Sequence, residues 1–204
     1  MRIAIYGGSF DPCHEGHIEI IKRLSEKFDK VIVVPTTIRY YKKNTQMFSF
    51  NERFERVKQL CADFKNVEVS DVERDVGDSW RFVDTLRKVS SGKLMSSLDD
   101  YEYYVAMGSD SFQKFKTWCD WEEILKRAKL IVFRRPGFED NFPEDIAYDY
   151  VSDIDLDVSS TKLREEIRKE IYDDFDEMMD DLSFCKDYPY LFELNEDELE
   201  NYKY

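Results

Sequence analysis

The two histidines of this chain, His14 and His17, stand three residues apart in Gly7-Gly8-Ser9-Phe10-Asp11-Pro12-Cys13-His14-Glu15-Gly16-His17. The segment follows a short apolar run and precedes a helical pattern. Its paired glycines allow a backbone path that side chains would block, and they let a ligand approach the main chain closely. With a helix starting near Glu15, a spacing of three puts both imidazoles on one side of its first turn. There they sit beside unpaired N–H groups and the positive end of the macrodipole, a natural site for phosphate. Three other chemistries compete. The histidines could be structural hydrogen-bonding residues. Cys13, His14 and His17 could bind a metal, although no fourth ligand is evident. Cys13 could act as a nucleophile, which would need a base and an orienting partner. Clustering of the chain's two histidines in a glycine-flanked turn favours phosphate. The spacing matches neither the Walker loop nor the G-x-G-x-x-G dinucleotide fingerprint.

A second phosphate-binding pattern lies late in the chain, in Val158-Ser159-Ser160-Thr161-Lys162-Leu163-Arg164. Ser159, Ser160 and Thr161 are good N-cap residues whose backbone N–H groups can receive phosphate oxygens. Arg164, about one turn inside, offers a fixed cationic fork.

These groups need a scaffold, and the hydrophobic pattern supplies one. Arg2–Tyr6, Lys30–Val34, Val67–Val69, Tyr103–Met107 and Leu130–Phe133 read as strands, several as nearly continuous apolar runs suited to a sheet covered on both faces. Between and after them, residues 15–27, 51–64, 79–88, 121–128 and 161–175 read as helices. Ser90–Asp100 reads as a polar loop, and Glu139–Tyr150 as irregular around Pro143. Alternating strands and helices with short connections imply right-handed crossovers and an α/β, doubly wound parallel sheet. Ligands in that class bind beyond the carboxyl ends of the strands.

The chain has 204 residues, 42% of them apolar, enough for one core. It carries no 18-residue apolar run and no signal-peptide pattern, so no membrane association is expected. Its four scattered cysteines suit reduced thiols in a cytoplasm. A net charge of −14 argues against nucleic acid as a partner. That charge is uneven: residues 165–204 hold 15 of the 44 acids and four of the 30 bases. The remainder is nearly balanced, so a small anion can bind there. The expected organisation is a single domain, with a catalytic α/β core over 1–168 and an acidic helical extension over 169–204. Nothing in the sequence excludes a homo-oligomer.

The first motif resembles the nucleotidyltransferase signature, and Val158–Arg164 resembles that family's I-S-S-T-x-I-R element. Three further matches point to the nicotinate/nicotinamide mononucleotide adenylyltransferases. Gly108-Ser109-Asp110-Ser111-Phe112 is similar to a G-x-D-S-L element, Trp118 to a ring-facing tryptophan, and Arg134-Arg135-Pro136-Gly137 to an R-R-P-G run. The resemblance covers residues 1 to about 168.

It implies a Rossmann-like nucleotidyltransferase fold and transfer of the ATP adenylyl group to a pyridine mononucleotide, with release of pyrophosphate, in NAD biosynthesis. His14, His17 and Arg164 would be catalytic. The ATP contacts would come from Gly8, Ser9, Phe10, His14, His17, Gly108, Asp110, Ser159, Ser160, Thr161 and Arg164. Lys42, Lys43, Trp80, Trp118 and Arg135 would serve the mononucleotide. Magnesium would arrive with ATP, without a dedicated protein site. Two departures stand out: Thr37-Ile38-Arg39-Tyr40-Tyr41-Lys42-Lys43 where the family has P-P-H-K, and Ser79-Trp80-Arg81 where it has S-Y-T. Other readings are a phosphopantetheine or polyol-phosphate acceptor, or a non-catalytic nucleotide-binding protein. The plainer alternatives are a core aromatic for Trp118, a carbonyl cap or a pair with a surface acid for Arg135, and loop solubilisers for Lys42 and Lys43.

Overall fold

The computed structural model describes residues 1–37, 46–90, 101–138, 141–153 and 159–173. Six parallel strands form one sheet in the order β3-β2-β1-β4-β5-β6. They are β1 (Arg2–Gly8), β2 (Lys30–Pro35), β3 (Val67–Val69), β4 (Glu102–Gly108), β5 (Lys129–Phe133) and β6 (Tyr148–Val151). The helices are α1 (Glu15–Lys27), α2 (Phe50–Leu60), α3 (Phe82–Val89), the single turn α4 (Ser109–Phe112), α5 (Trp121–Arg127) and α6 (Ser160–Asp173).

Alternation along β1 builds two cores. Ala4 and Tyr6 face Ile21 and Leu24 of α1 and Val57 of α2. Ile3 and Ile5 face the other side, with Val83 and Leu86 of α3 and Ile124 of α5. Helices thus pack on both faces of the sheet, hence the apolar runs seen in the sequence.

α2 starts with a reciprocal cap. The Ser49 N–H donates to Glu52 Oε2 at 2.6 Å, and the Glu52 N–H donates to Ser49 Oγ at 3.3 Å. The helix ends at Leu60, with Cys61–Ala62 in a turn, four residues short of the expected end. α3 begins at Phe82 and not at Ser79, because Arg81 is extended and its N–H is capped by Asp84 Oδ2 at 2.9 Å. β6 corrects the reading of 139–150 as wholly irregular: Tyr148–Val151 pairs with Leu130–Phe133.

The order of strands reverses between β1 and β4, the switch point at which doubly wound sheets bind ligands. The segments leaving these two strands are the glycine–histidine turn and Gly108–Asp110. The chain divides into two compact units, Met1–Ser160 and Thr161–Tyr204. No helix among the described residues is long and apolar enough to cross a membrane.

Candidate active site

The turn after β1 is fixed by hydrogen bonds to residues far along the chain. Asp11, 2% exposed, accepts from the Met47 N–H at 3.0 Å and the Phe48 N–H at 2.8 Å. Arg53, equally buried, donates through Nη1 to the Ser9 carbonyl at 2.5 Å and the Thr36 carbonyl at 3.0 Å. Its Nε donates to the Phe48 carbonyl at 3.2 Å. The Ser160 hydroxyl donates to the Pro12 carbonyl at 3.0 Å. A loop with few internal hydrogen bonds is thereby held rigid, which a site that stabilises charge requires. Phe10 serves this same purpose. It adopts φ 49°, and its ring lies over Gly8 and edge-on to Tyr6 and His17, leaving the side chain 1% exposed.

His14 and His17 are brought together as expected. Their rings stack with centroids 3.7 Å apart and planes 29° apart. Gly16 makes the fold of His14 over the first turn of α1 possible, since an added Cβ would stand 3.1 Å from the His14 ring. The His14 backbone N–H donates to His17 Nδ1 at 3.2 Å. Nδ1 of His17 is therefore an acceptor, and the neutral ring carries its proton on Nε2. Among the described residues, the buried side-chain polar atom with no hydrogen-bond partner is His14 Nδ1. Such an atom costs free energy unless a ligand meets it.

Both rings stay neutral at ordinary pH. Burial, and then the charge of Arg135, pushes His14 down to about 4. Burial, the neighbouring His14 and Arg135 hold His17 well below its usual value. Arg135 is itself aimed by an ion pair with Asp110 at 2.7 Å, while the Ser109 hydroxyl accepts from the Arg135 N–H at 2.9 Å. Gly108, Asp110 and Arg135 thus form one unit at the end of β4, and the positive charge of Arg135 is felt by both imidazoles. The site is set for an anion: it offers neutral donors and a cation, and stacked imidazolium pairs are avoided. Cys13, weighed as a metal ligand or nucleophile, keeps its proton, because burial pushes the thiol up to about 12.

On the other flank, Trp118 is half-buried and packs edge-on against Phe82 with centroids 5.4 Å apart. It also meets Phe115 at 5.5 Å. Trp80 does something else: its indole N–H donates to Thr85 Oγ1 at 2.8 Å. Phe82, absent from the expected set, is thus the α3 ring that meets Trp118. Lys42 and Lys43 lie outside the described residues. In the second unit, Arg164 Nη2 donates to Thr161 Oγ1 at 3.2 Å. Ser159 immediately precedes α6, which starts at Ser160.

Asp11, Arg53 and Glu73 were missed by sequence reasoning. Arg53 and Glu73 stand among other charged residues in patterns that read as solvent-facing, and only long-range contacts reveal their burial.

The comparisons agree with this geometry. The cytidylyltransferase-like family model matches residues 5–166. The "Probable nicotinate-nucleotide adenylyltransferase" of Fusobacterium nucleatum is 33% identical, over 82% of this chain and 88% of the relative. The protein of the same name from Solibacter usitatus is 28% identical, over 80% and 86%. Plasmodium falciparum nicotinic acid mononucleotide adenylyltransferase, solved in complex with NaAD, superposes with a TM-score of 0.61 over 84% of each chain at 21% identity. This likeness bears on the fold. With the stacked histidine pair at the switch point, these matches show that the chain belongs to the cytidylyltransferase-like family, in its nicotinate-nucleotide adenylyltransferase group.

Proposed function

We propose that this protein transfers the adenylyl group of ATP to nicotinate mononucleotide, forming the dinucleotide and pyrophosphate in NAD biosynthesis. The observation that carries the reading is the neutral, stacked His14–His17 pair at the N-terminus of α1, beside the Asp110-aimed Arg135. The mononucleotide phosphate attacks the α-phosphorus of ATP, the new P–O bond forms in line with the bond that breaks, and pyrophosphate departs. An anionic phosphate is already a nucleophile, so no general base is needed. Catalysis rests on positioning and on neutralising developing charge.

In this account His17 donates from Nε2 to the phosphate oxygens, and His14 adds a second donor. Gly8, Ser9 and Phe10 contribute backbone groups. Ser159, Ser160, Thr161 and Arg164 are assigned to the triphosphate on their motif, as Lys42 and Lys43 are to the mononucleotide. Among the described residues no three His, Cys, Asp or Glu side chains are grouped to hold a metal. Magnesium is assigned as part of the MgATP substrate, carried by phosphate oxygens and water.

The preference for the acid over the amide follows from what surrounds the ring site. Phe82, which meets Trp118, is the first residue of α3. Unpaired N–H groups at a helix start favour a carboxylate. The acid closest in sequence, Asp84, is engaged by the Arg81 N–H and by Arg87 at 2.7 Å, and so is poorly placed to receive an amide NH₂. We expect kcat/KM at least about tenfold higher for nicotinate than for nicotinamide mononucleotide, a gap of about 1.4 kcal/mol.

A screen of donors and acceptors by pyrophosphate release tests the reading. ATP with a pyridine mononucleotide should give turnover. Turnover confined to phosphopantetheine, a polyol phosphate or CTP, or nucleotide binding without product, would overturn it.

A further inference from the structure

Glu73 is 3% exposed and lies outside every motif that points to the reaction. Its carboxylate joins two segments on the acceptor side of the sheet. Oε2 accepts from the Thr37 N–H at 2.9 Å, just past the end of β2. Oε1 accepts from the Thr85 hydroxyl in α3, and Thr85 Oγ1 in turn accepts from the Trp80 indole N–H at 2.8 Å. The Thr37 hydroxyl closes the arrangement by donating to the Glu73 carbonyl at 2.5 Å.

Every donor in this chain of bonds has one direction to point. The hydroxyl of Thr85 is spent on Glu73, so its oxygen is free to receive the indole, and the indole has one orientation that satisfies it. A buried carboxylate costs several kcal/mol unless it is paired and hydrogen-bonded. An apolar side chain would have filled the same space without that cost. What the carboxylate adds is direction.

Both ends of the chain of bonds lie close in sequence to residues at the candidate pyridine position. Thr37 follows Thr36, whose side chain lies near Gly7, and the Phe82 ring packs against Gly7 as well as Trp118. Trp80 lies two residues before Phe82. We propose that Glu73 is a positioning residue for the pyridine acceptor: through Thr85 it sets the plane of the Trp80 indole, and through Thr37 it sets the backbone leaving β2. The inference rests on the adenylyl-transfer reading and deepens it. It makes Thr85 and Glu73 determinants of acceptor affinity, with little bearing on ATP.

The experiment compares Thr85→Val, Thr85→Ser and Trp80→Phe with wild type. Steady-state assays with nicotinate mononucleotide and MgATP separate the two KM values, and the Trp80 indole N–H resonance, assigned by its loss in Trp80→Phe, reports the bond directly. Thr85→Val should raise the mononucleotide KM about tenfold, as loss of one oriented hydrogen bond allows. The ATP KM should stay within about twofold on the same arithmetic. The Trp80 resonance should move and exchange rapidly with solvent. Thr85→Ser should restore both. If Thr85→Val unfolds, Trp80→Phe, which removes only the indole end, should still raise the mononucleotide KM selectively. An unchanged mononucleotide KM in every folded variant, or equal rises in both KM values, would overturn the inference. A wild-type protein that makes no dinucleotide would instead overturn the functional reading beneath it.

Discussion

Replacement of His17 by three different side chains discriminates between a donor at a defined atom and a merely polar turn. Nδ1 of His17 is occupied as an acceptor by the His14 N–H at 3.2 Å, so the ring presents Nε2–H to the ligand. His17→Ala removes that donor and should lower kcat roughly 10²- to 10³-fold, the usual effect of deleting one group that stabilises transition-state charge. The fold should survive. The lost contacts are the long Nδ1 hydrogen bond, the stack on His14 and an edge contact with Phe10 at 4.9 Å. Together they amount to about 1 kcal/mol, or a fall in Tm of roughly 2–4 °C for a chain of this size. Glutamine can place its NH₂ close to where Nε2 stood, whereas asparagine places it nearer Nδ1. His17→Gln should therefore recover to within about tenfold of wild type, and His17→Asn should resemble the alanine variant. Pyrophosphate release at saturating substrates, read beside circular dichroism, gives the answer. Near-normal turnover in a folded alanine variant would refute the role of His17, and rescue by asparagine but not glutamine would refute the assigned tautomer.

Other perturbations have equally definite outcomes. Because the folded-state values of both histidines lie below the unfolded value, the unfolded chain binds more protons as pH falls below about 6.5. Their contribution to stability should be complete above that pH and should decline toward pH 4, as Tm measured across the range would show; NMR should find the ligand-free His14 titrating near its shifted value of about 4. Arg53→Met strands the Ser9, Thr36 and Phe48 carbonyls and should cost roughly 3–5 kcal/mol, checked by denaturant unfolding. Alkylation at pH 8, followed by peptide mass spectrometry, should label the exposed Cys119 well before Cys13 or Cys61, whose thiols burial holds at about 12 and about 11. Chelating magnesium should abolish pyrophosphate release while leaving the circular dichroism spectrum unchanged.

What could be read from the sequence is what local pattern encodes. The glycine-flanked His14 and His17 announce a turn and a helix start, and α1 begins at Glu15 with both rings on one side. Continuous apolar runs mark β1, β2, β4 and β5, each buried along most of its length. β6 escaped notice because Tyr148-Asp149-Tyr150 is an exposed edge, with the strand carried by pairing to β5. Phe82, outside the expected set, meets Trp118 because of where α3 starts, which depends on the Asp84 cap. The supports of the site, Asp11, Arg53 and Glu73, are set by partners more than 30 residues away or on other elements. No short window of sequence shows such partners.

The account stands or falls on where the α-phosphorus of ATP goes. A single-turnover reaction with ATP labelled at the α-phosphate, nicotinate mononucleotide and magnesium, resolved by chromatography, follows it directly. The label should appear in the dinucleotide, with unlabelled pyrophosphate released in equal amount. Label recovered only as AMP, or left in ATP while the protein is shown to be folded and to bind nucleotide, would contradict adenylyl transfer.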